Sequence, residues 1–179
     1  MRLLRSSFFG LVLFALGSSG AFAHGPTPQK VEEKIEIAAP PAAVWAIAKD
    51  FGAIGDWHPL VEKSTGTGGN GANASREVTL KSGGVLVDGL DDYNDGEMSY
   101  TYRLSKENVE ALPVSFYSAS LSVKPGKDGG SEVEWIGRFY RADTGNFPPE
   151  DKNDAAAIAA MKTFIEEGLK GLKAKAEAK

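Results

Sequence analysis

Val85-Leu86-Val87-Asp88-Gly89-Leu90-Asp91-Asp92-Tyr93-Asn94-Asp95-Gly96-Glu97-Met98-Ser99-Tyr100-Thr101-Tyr102-Arg103-Leu104-Ser105 is the stretch on which the fold turns. Two runs of β-prone residues, Val85 to Tyr93 and Glu97 to Ser105, flank Asn94-Asp95-Gly96. An Asp-Gly pair accepts the positive φ of a tight turn, so the runs read as a hairpin. A hairpin pairs its strands antiparallel, whereas parallel pairing needs a long crossover. Working outward, Arg76 to Lys81 and Leu60 to Thr65 are further strands, separated by a glycine-asparagine loop over Gly66 to Asn73. Downstream, Val114 to Lys124 and Glu132 to Arg141 make another hairpin through Pro125-Gly126 and Gly129-Gly130. Upstream, Val31 to Ala38 alternates as a strand. Pro40-Pro41 then opens a short helix carrying Val44, Trp45, Ile47 and Ala48. Phe51 to Trp57 is a second short helical segment, stopped by Pro59. A proline-bearing connection, Asn146 to Glu150, leads to the end of the chain. There Ile158, Met161, Ile165, Leu169 and Leu172 recur at helical spacing and predict one long amphipathic helix.

The order is strand, two short helices, six strands, one long helix. It predicts an α+β fold: a seven-stranded curved antiparallel sheet around a long C-terminal helix, with two short helices closing one end. Such a wrap can leave an apolar cavity between sheet and helix.

The chain has 179 residues, 20 basic and 24 acidic side chains, two histidines and no cysteine. Disulfides, thiolate metal sites and a cysteine nucleophile are therefore excluded. No basic stripe is available for nucleic acid. Met1 to Arg5 is a short positive start, Phe8 to Leu16 is apolar, and Ala21-Phe22-Ala23 is a small-x-small site. These predict a secretory signal peptide over 1–23, cut after Ala23, a flexible lead-in over 24–30 and one domain over 31–176. Removing 23 residues leaves 156, and the loss of Arg2 and Arg5 makes the net charge −6. The chain is expected to be exported, with no membrane span after cleavage.

Several motifs fail. Gly66-x-Gly68-x-x-Gly71 spells a dinucleotide fingerprint but precedes a strand instead of a helix. Asp91-Asp92-x-Asn94-Asp95-Gly96 lacks the third and twelfth ligands of a calcium loop. No metal or other cofactor is expected.

The candidate ligand-binding residues follow from strand parity and chemistry. Trp57-His58-Pro59 puts an indole and an imidazole at the mouth of the cavity, to grip a ligand or move a proton. A packed corner with His58 bonded to backbone is the plainer alternative. Tyr100 and Tyr102 share one face with Met98. Tyr117 shares one with Ala119 and Leu121, and Trp135 and Phe139 share one with Val133 and Gly137. The polar ends of these rings could bind a ligand or each other. Arg76 and Asp88 lie on neighbouring strands, as a pair that could orient a polar ligand or be purely structural. His58 is the lone histidine of the folded part and has no orienting acid nearby in sequence. Binding is therefore expected, not catalysis, and no catalytic residue is assigned.

Ile37-Ala38-Ala39-Pro40-Pro41-Ala42-Ala43-Val44-Trp45 and Trp57-His58-Pro59, in this element order, resemble the polyketide cyclase/dehydrase group of the START-like, Bet v 1-like superfamily. Ser75 to Gly84 and Leu112 to Ala119 resemble the plant hormone receptors of that superfamily. The resemblance implies the helix-grip fold. Leu90-Asp91-Asp92-Tyr93, Leu112-Pro113-Val114 and Val133-Glu134-Trp135 in an exported chain further resemble the MxaD-like accessory proteins of bacterial methanol oxidation. That resemblance implies a periplasmic location and a role in passing electrons from methanol dehydrogenase to cytochrome c-L. A carrier or sensor of a small hydrophobic ligand and a cyclase/dehydratase-like enzyme are the other expectations.

Overall fold

The computed structural model describes residues 25–178. The expected signal peptide and its cleavage site lie outside them. Strands β1 (Gln29–Ile37), β2 (Val61–Thr67), β3 (Ser75–Leu80), β4 (Val85–Asn94), β5 (Ser99–Lys106), β6 (Val114–Pro125) and β7 (Ser131–Arg141) form one antiparallel sheet in the order β1-β7-β6-β5-β4-β3-β2. Helix α1 (Pro41–Ala48) and a 3-10 helix (Phe51–Asp56) sit between β1 and β2, and α2 (Asp154–Glu177) follows β7. This is the helix-grip architecture that the element order predicts.

Local chemistry accounts for the boundaries. Pro41 occupies the first turn of α1, where its missing N–H costs nothing. Asp50 caps the 3-10 helix by accepting from the Gly52 amide. Asn153 caps α2 by accepting from the Ala156 amide at 2.9 Å. At the other end of α2, Glu177 accepts from the Ala38 amide and Lys173 donates to the Glu36 carbonyl, tying the helix to β1.

Three details differ from the sequence reading. Gly66 and Thr67 belong to β2, and β1 begins at Gln29. The turn after β4 places its positive φ on Met98 (51°), not on the Asp-Gly pair. On α2 the buried stripe is Ala157, Met161, Phe164, Ile165, Gly168, Leu169 and Leu172. Ile158 keeps the phase of that stripe, but it is exposed while its neighbour Ala157 is buried.

Glycines set how closely α2 lies on the rest. A Cβ on Gly137 of β7 would stand 3.2 Å from Met161, and one on Gly168 would stand 2.5 Å from the Trp135 ring. A Cβ on Gly171 would meet the Trp57 carbonyl at 2.1 Å. The helix therefore presses against both the sheet and the 57–59 corner. These small residues serve close packing.

Candidate functional site

Strand parity brings the candidate residues together on the concave face under α2. Arg76 and Asp88 are directly opposite in the β3–β4 register. Arg76 Nε donates to Asp88 at 2.9 Å, and Nη1 donates to the Phe51 carbonyl at 3.1 Å. Both side chains are withdrawn from water, at 1% and 3% exposure. The guanidinium carbon lies 4.3 Å from the Phe51 ring centre and 4.5 Å from that of Tyr102. Tyr117, on β6, donates its hydroxyl proton to Asp88. Trp135, on β7, donates from Nε1 to the Tyr102 hydroxyl at 3.1 Å. Tyr100 packs between Trp45, Phe51 and Tyr102. Phe139 is buried further along the same face of β7.

A second cluster adjoins the first through Trp135. Trp57, His58 and Trp135 have ring centres within 6.0 Å of one another, and Phe164 of α2 lies 4.2 Å from His58. His58 Nδ1 accepts from the Leu60 amide at 3.2 Å. Its Nε2 is 3.0 Å from the Phe164 carbonyl, which only accepts, so Nε2 carries the proton. The imidazole is neutral and uses both nitrogens on backbone. It lies inside the core at 2% exposure, so the expected position at a cavity mouth is replaced by the packed corner. Trp57 is 5% exposed, and its Nε1 is buried with no acceptor.

Burial governs the electrostatics. It pushes His58 down to about 4, with the Phe164 carbonyl opposing and the Arg76 charge adding to the effect. Burial also disfavours charge on Arg76, but the Asp88 carboxylate and the nearby tyrosines outweigh it, and the group stays cationic. Burial pushes the Asp88 carboxyl up against the opposing pull of Arg76 and Tyr117. Tyr100, Tyr102 and Tyr117 are all raised, by burial first, so each remains a phenol. The site thus holds one buried cation, with His58, Asp88, Tyr102 and Tyr117 each bonded to a neighbour. It has the parts to hold a carboxylate or phenol. In this state Asp88 and Tyr117 themselves occupy that role.

The sequence reading did not single out Phe51, Phe164 or Gly168. Phe164 lies three residues after Met161 and was legible on the helical stripe. Phe51 gave no signal, because its ring and carbonyl meet Arg76 only through the tertiary fold. A surface groove of about 780 Å³ lies elsewhere, between Pro40-Pro41 and the β5–β6 strands at Ser99 and Val123.

The model of the family described as polyketide cyclase / dehydrase and lipid transport matches residues 28–177, and the chain belongs to that family. Among solved structures it is similar to the protein XoxI from Bacillus cereus, at 28% identity over 82% of this chain and 94% of that one, with TM-score 0.68. An uncharacterised protein from Bacillus thuringiensis is 27% identical over 84% of this chain and all of its own, with TM-score 0.70. The ZhuI aromatase/cyclase from a Streptomyces species shares the fold at 17% identity and TM-score 0.64, covering 84% of this chain and 94% of that one. No curated protein matches the chain.

Proposed function

We propose that this protein is a non-catalytic binding protein that works through its surface, as a periplasmic accessory factor in methanol oxidation. The observation that carries the first half is the state of the interior. Its single histidine, Tyr102, Tyr117 and its ion pair are each held by another protein group. A general acid or base needs a free nitrogen or hydroxyl within reach of substrate, and His58 offers neither nitrogen. The second half is supported by the leader-like N-terminus and by the resemblance of Leu90 to Tyr93, Leu112 to Val114 and Val133 to Trp135 to the MxaD-like proteins. In this reading the partners are methanol dehydrogenase and cytochrome c-L. Reconstituted methanol-to-cytochrome electron transfer should speed up when the purified protein is added. An unchanged rate sinks the methanol reading.

One observation favours a second reading, a carrier or sensor of a small hydrophobic ligand. The buried Trp57 Nε1 has no acceptor, and a ligand oxygen would supply one. Native mass spectrometry of protein purified from its own host should then show a bound molecule, and Trp57→Phe should lower its occupancy. A ligand-free spectrum counts against this reading. A cyclase/dehydratase-like activity would need His58 released from both backbone partners, and no observation supports that.

A further inference from the structure

We propose that the end of the sheet bounded by the 81–84, 107–113 and 142–153 connections is a docking surface for a positively charged protein, with Phe116 and Phe147 as its apolar anchors. The proposal deepens the surface-acting reading above and rests on it.

The first observation is where exposed apolar side chains fall. Among the described residues the exposed large hydrophobics are Val85, Phe116, Phe147 and Ile158. Val85 begins β4, Phe116 lies near the start of β6, Phe147 is in the β7–α2 connection and Ile158 is near the start of α2. Antiparallel order puts all four at one end of the sheet. Exposed hydrophobics scattered singly need no explanation, but their segregation to one end does.

The second observation is how the two aromatics are held. Phe116 is 71% exposed and has φ of 46° in a bulge that breaks the β6–β7 register between Ser115 and Ser118. A bulky residue is disfavoured in that backbone region, and its ring gains no burial there. Neither folding term explains a phenylalanine at that position. Phe147 is 96% exposed and precedes Pro148-Pro149, which stiffen its backbone. Its loop is anchored by Arg141, which donates to the Asp143 and Gly145 carbonyls and to Asp154. A side chain held out in advance loses little freedom on binding.

The connections are also joined to one another. Asn108 donates to the Val85 carbonyl, Lys152 pairs with Glu110, and the Ala142 amide donates to the Pro113 carbonyl. The end is therefore one platform.

Charge selects the occupant. The three connections carry five acids against Lys81 and Lys152, and the pairing of Lys152 with Glu110 leaves four acids against one lysine. An anionic lipid surface and a second copy of this chain would both meet like charge. A protein with a basic rim around an apolar spot meets opposite charge outside and aromatic anchors within.

The test is photo-crosslinking of the full chain in the cells that produce it. The crosslinking residue is placed at position 147, or at position 97 at the opposite end of the sheet, and adducts are identified by mass spectrometry. We expect one basic protein captured from position 147 and not from 97, with yield falling about tenfold in high salt. Phe116→Asn should reduce that capture while leaving thermal unfolding in place, because asparagine tolerates the left-handed backbone. Adducts to lipid or to a second copy, equal capture from 97, or no adduct at 147 each overturn the proposal. If the captured protein is neither methanol dehydrogenase nor cytochrome c-L, the surface stands and the methanol reading falls. If no adduct forms but the protein still accelerates methanol-to-cytochrome transfer, the surface falls and the methanol reading stands.

Discussion

Arg76 is a fully buried cation whose ion pair with Asp88 is shielded from water and completed by Tyr117, Phe51 and Tyr102. A buried pair gains Coulomb energy but loses hydration, so removing one partner costs more than removing both. Arg76→Met should destabilise the fold by about 3–5 kcal/mol, because Asp88 is left uncompensated. The double variant Arg76→Met/Asp88→Leu should recover most of that loss. Urea denaturation of the three proteins checks this, and equal losses in single and double variants would contradict it. Tyr117→Phe deletes one bond to a charged acceptor and should cost about 1.5–3 kcal/mol in the same assay. Arg76 and Asp88 were legible as neighbours on adjacent strands, because parity and strand order suffice for that. Their complete burial was not, because it depends on the Phe51 segment and α2 closing over them.

At the scale of the elements, α2 is positioned by what its glycines omit. Alanine at Gly168 would gain about 1 kcal/mol of helix propensity. Its Cβ, however, would stand 2.5 Å from Trp135 and 2.7 Å from the His58 ring. Overpacking of that kind costs about 1–3 kcal/mol, so Gly168→Ala should be a net destabilisation. It should also move the Trp fluorescence, since Trp135 must shift. A more stable protein with unchanged emission would show that the helix does not lie this close. The long helix and its phase were plain from the spacing of Met161, Ile165, Leu169 and Leu172. Exposed Ile158 was misread because periodicity reports the face of a helix and not which residue at its margin is covered, and Ala157 is the one buried there.

For the whole molecule, pH reads out the buried histidine. His58 is pushed from 6.5 to about 4 in the folded protein. The unfolded chain therefore takes up a proton at a pH where the folded one does not. The stabilisation is complete above pH 6.5 and is lost as pH falls toward 4. The loss approaches about 3 kcal/mol at the lower end, by the conversion of a pKa shift to free energy. Denaturant midpoints measured between pH 7 and 4 should fall, and His58→Gln should flatten that fall beyond the common effect of the carboxylates. An identical slope in the variant would mean that His58 is not buried neutral.

The amino-acid sequence by itself determined the order of the elements, the antiparallel sheet and the membership of the inner face. Periods of two and 3.6, the turn signals and the prolines are local, and each acts within a few residues. It also placed Trp57, His58, Arg76, Asp88, Tyr100, Tyr102, Tyr117, Trp135 and Phe139 on elements that could converge. Only the tertiary structure decided what their polar groups face. A tyrosine hydroxyl or an imidazole nitrogen takes its partner from whichever distant segment closes over it. Here those partners are Asp88 for Tyr117, the Phe164 carbonyl for His58 and the Tyr102 hydroxyl for Trp135. The interior that parity suggested as a ligand cavity became a packed core in which Trp57 Nε1 alone of the candidate site's indole and imidazole nitrogens lacks a partner, because close packing of α2 brings protein groups to the positions a ligand would use.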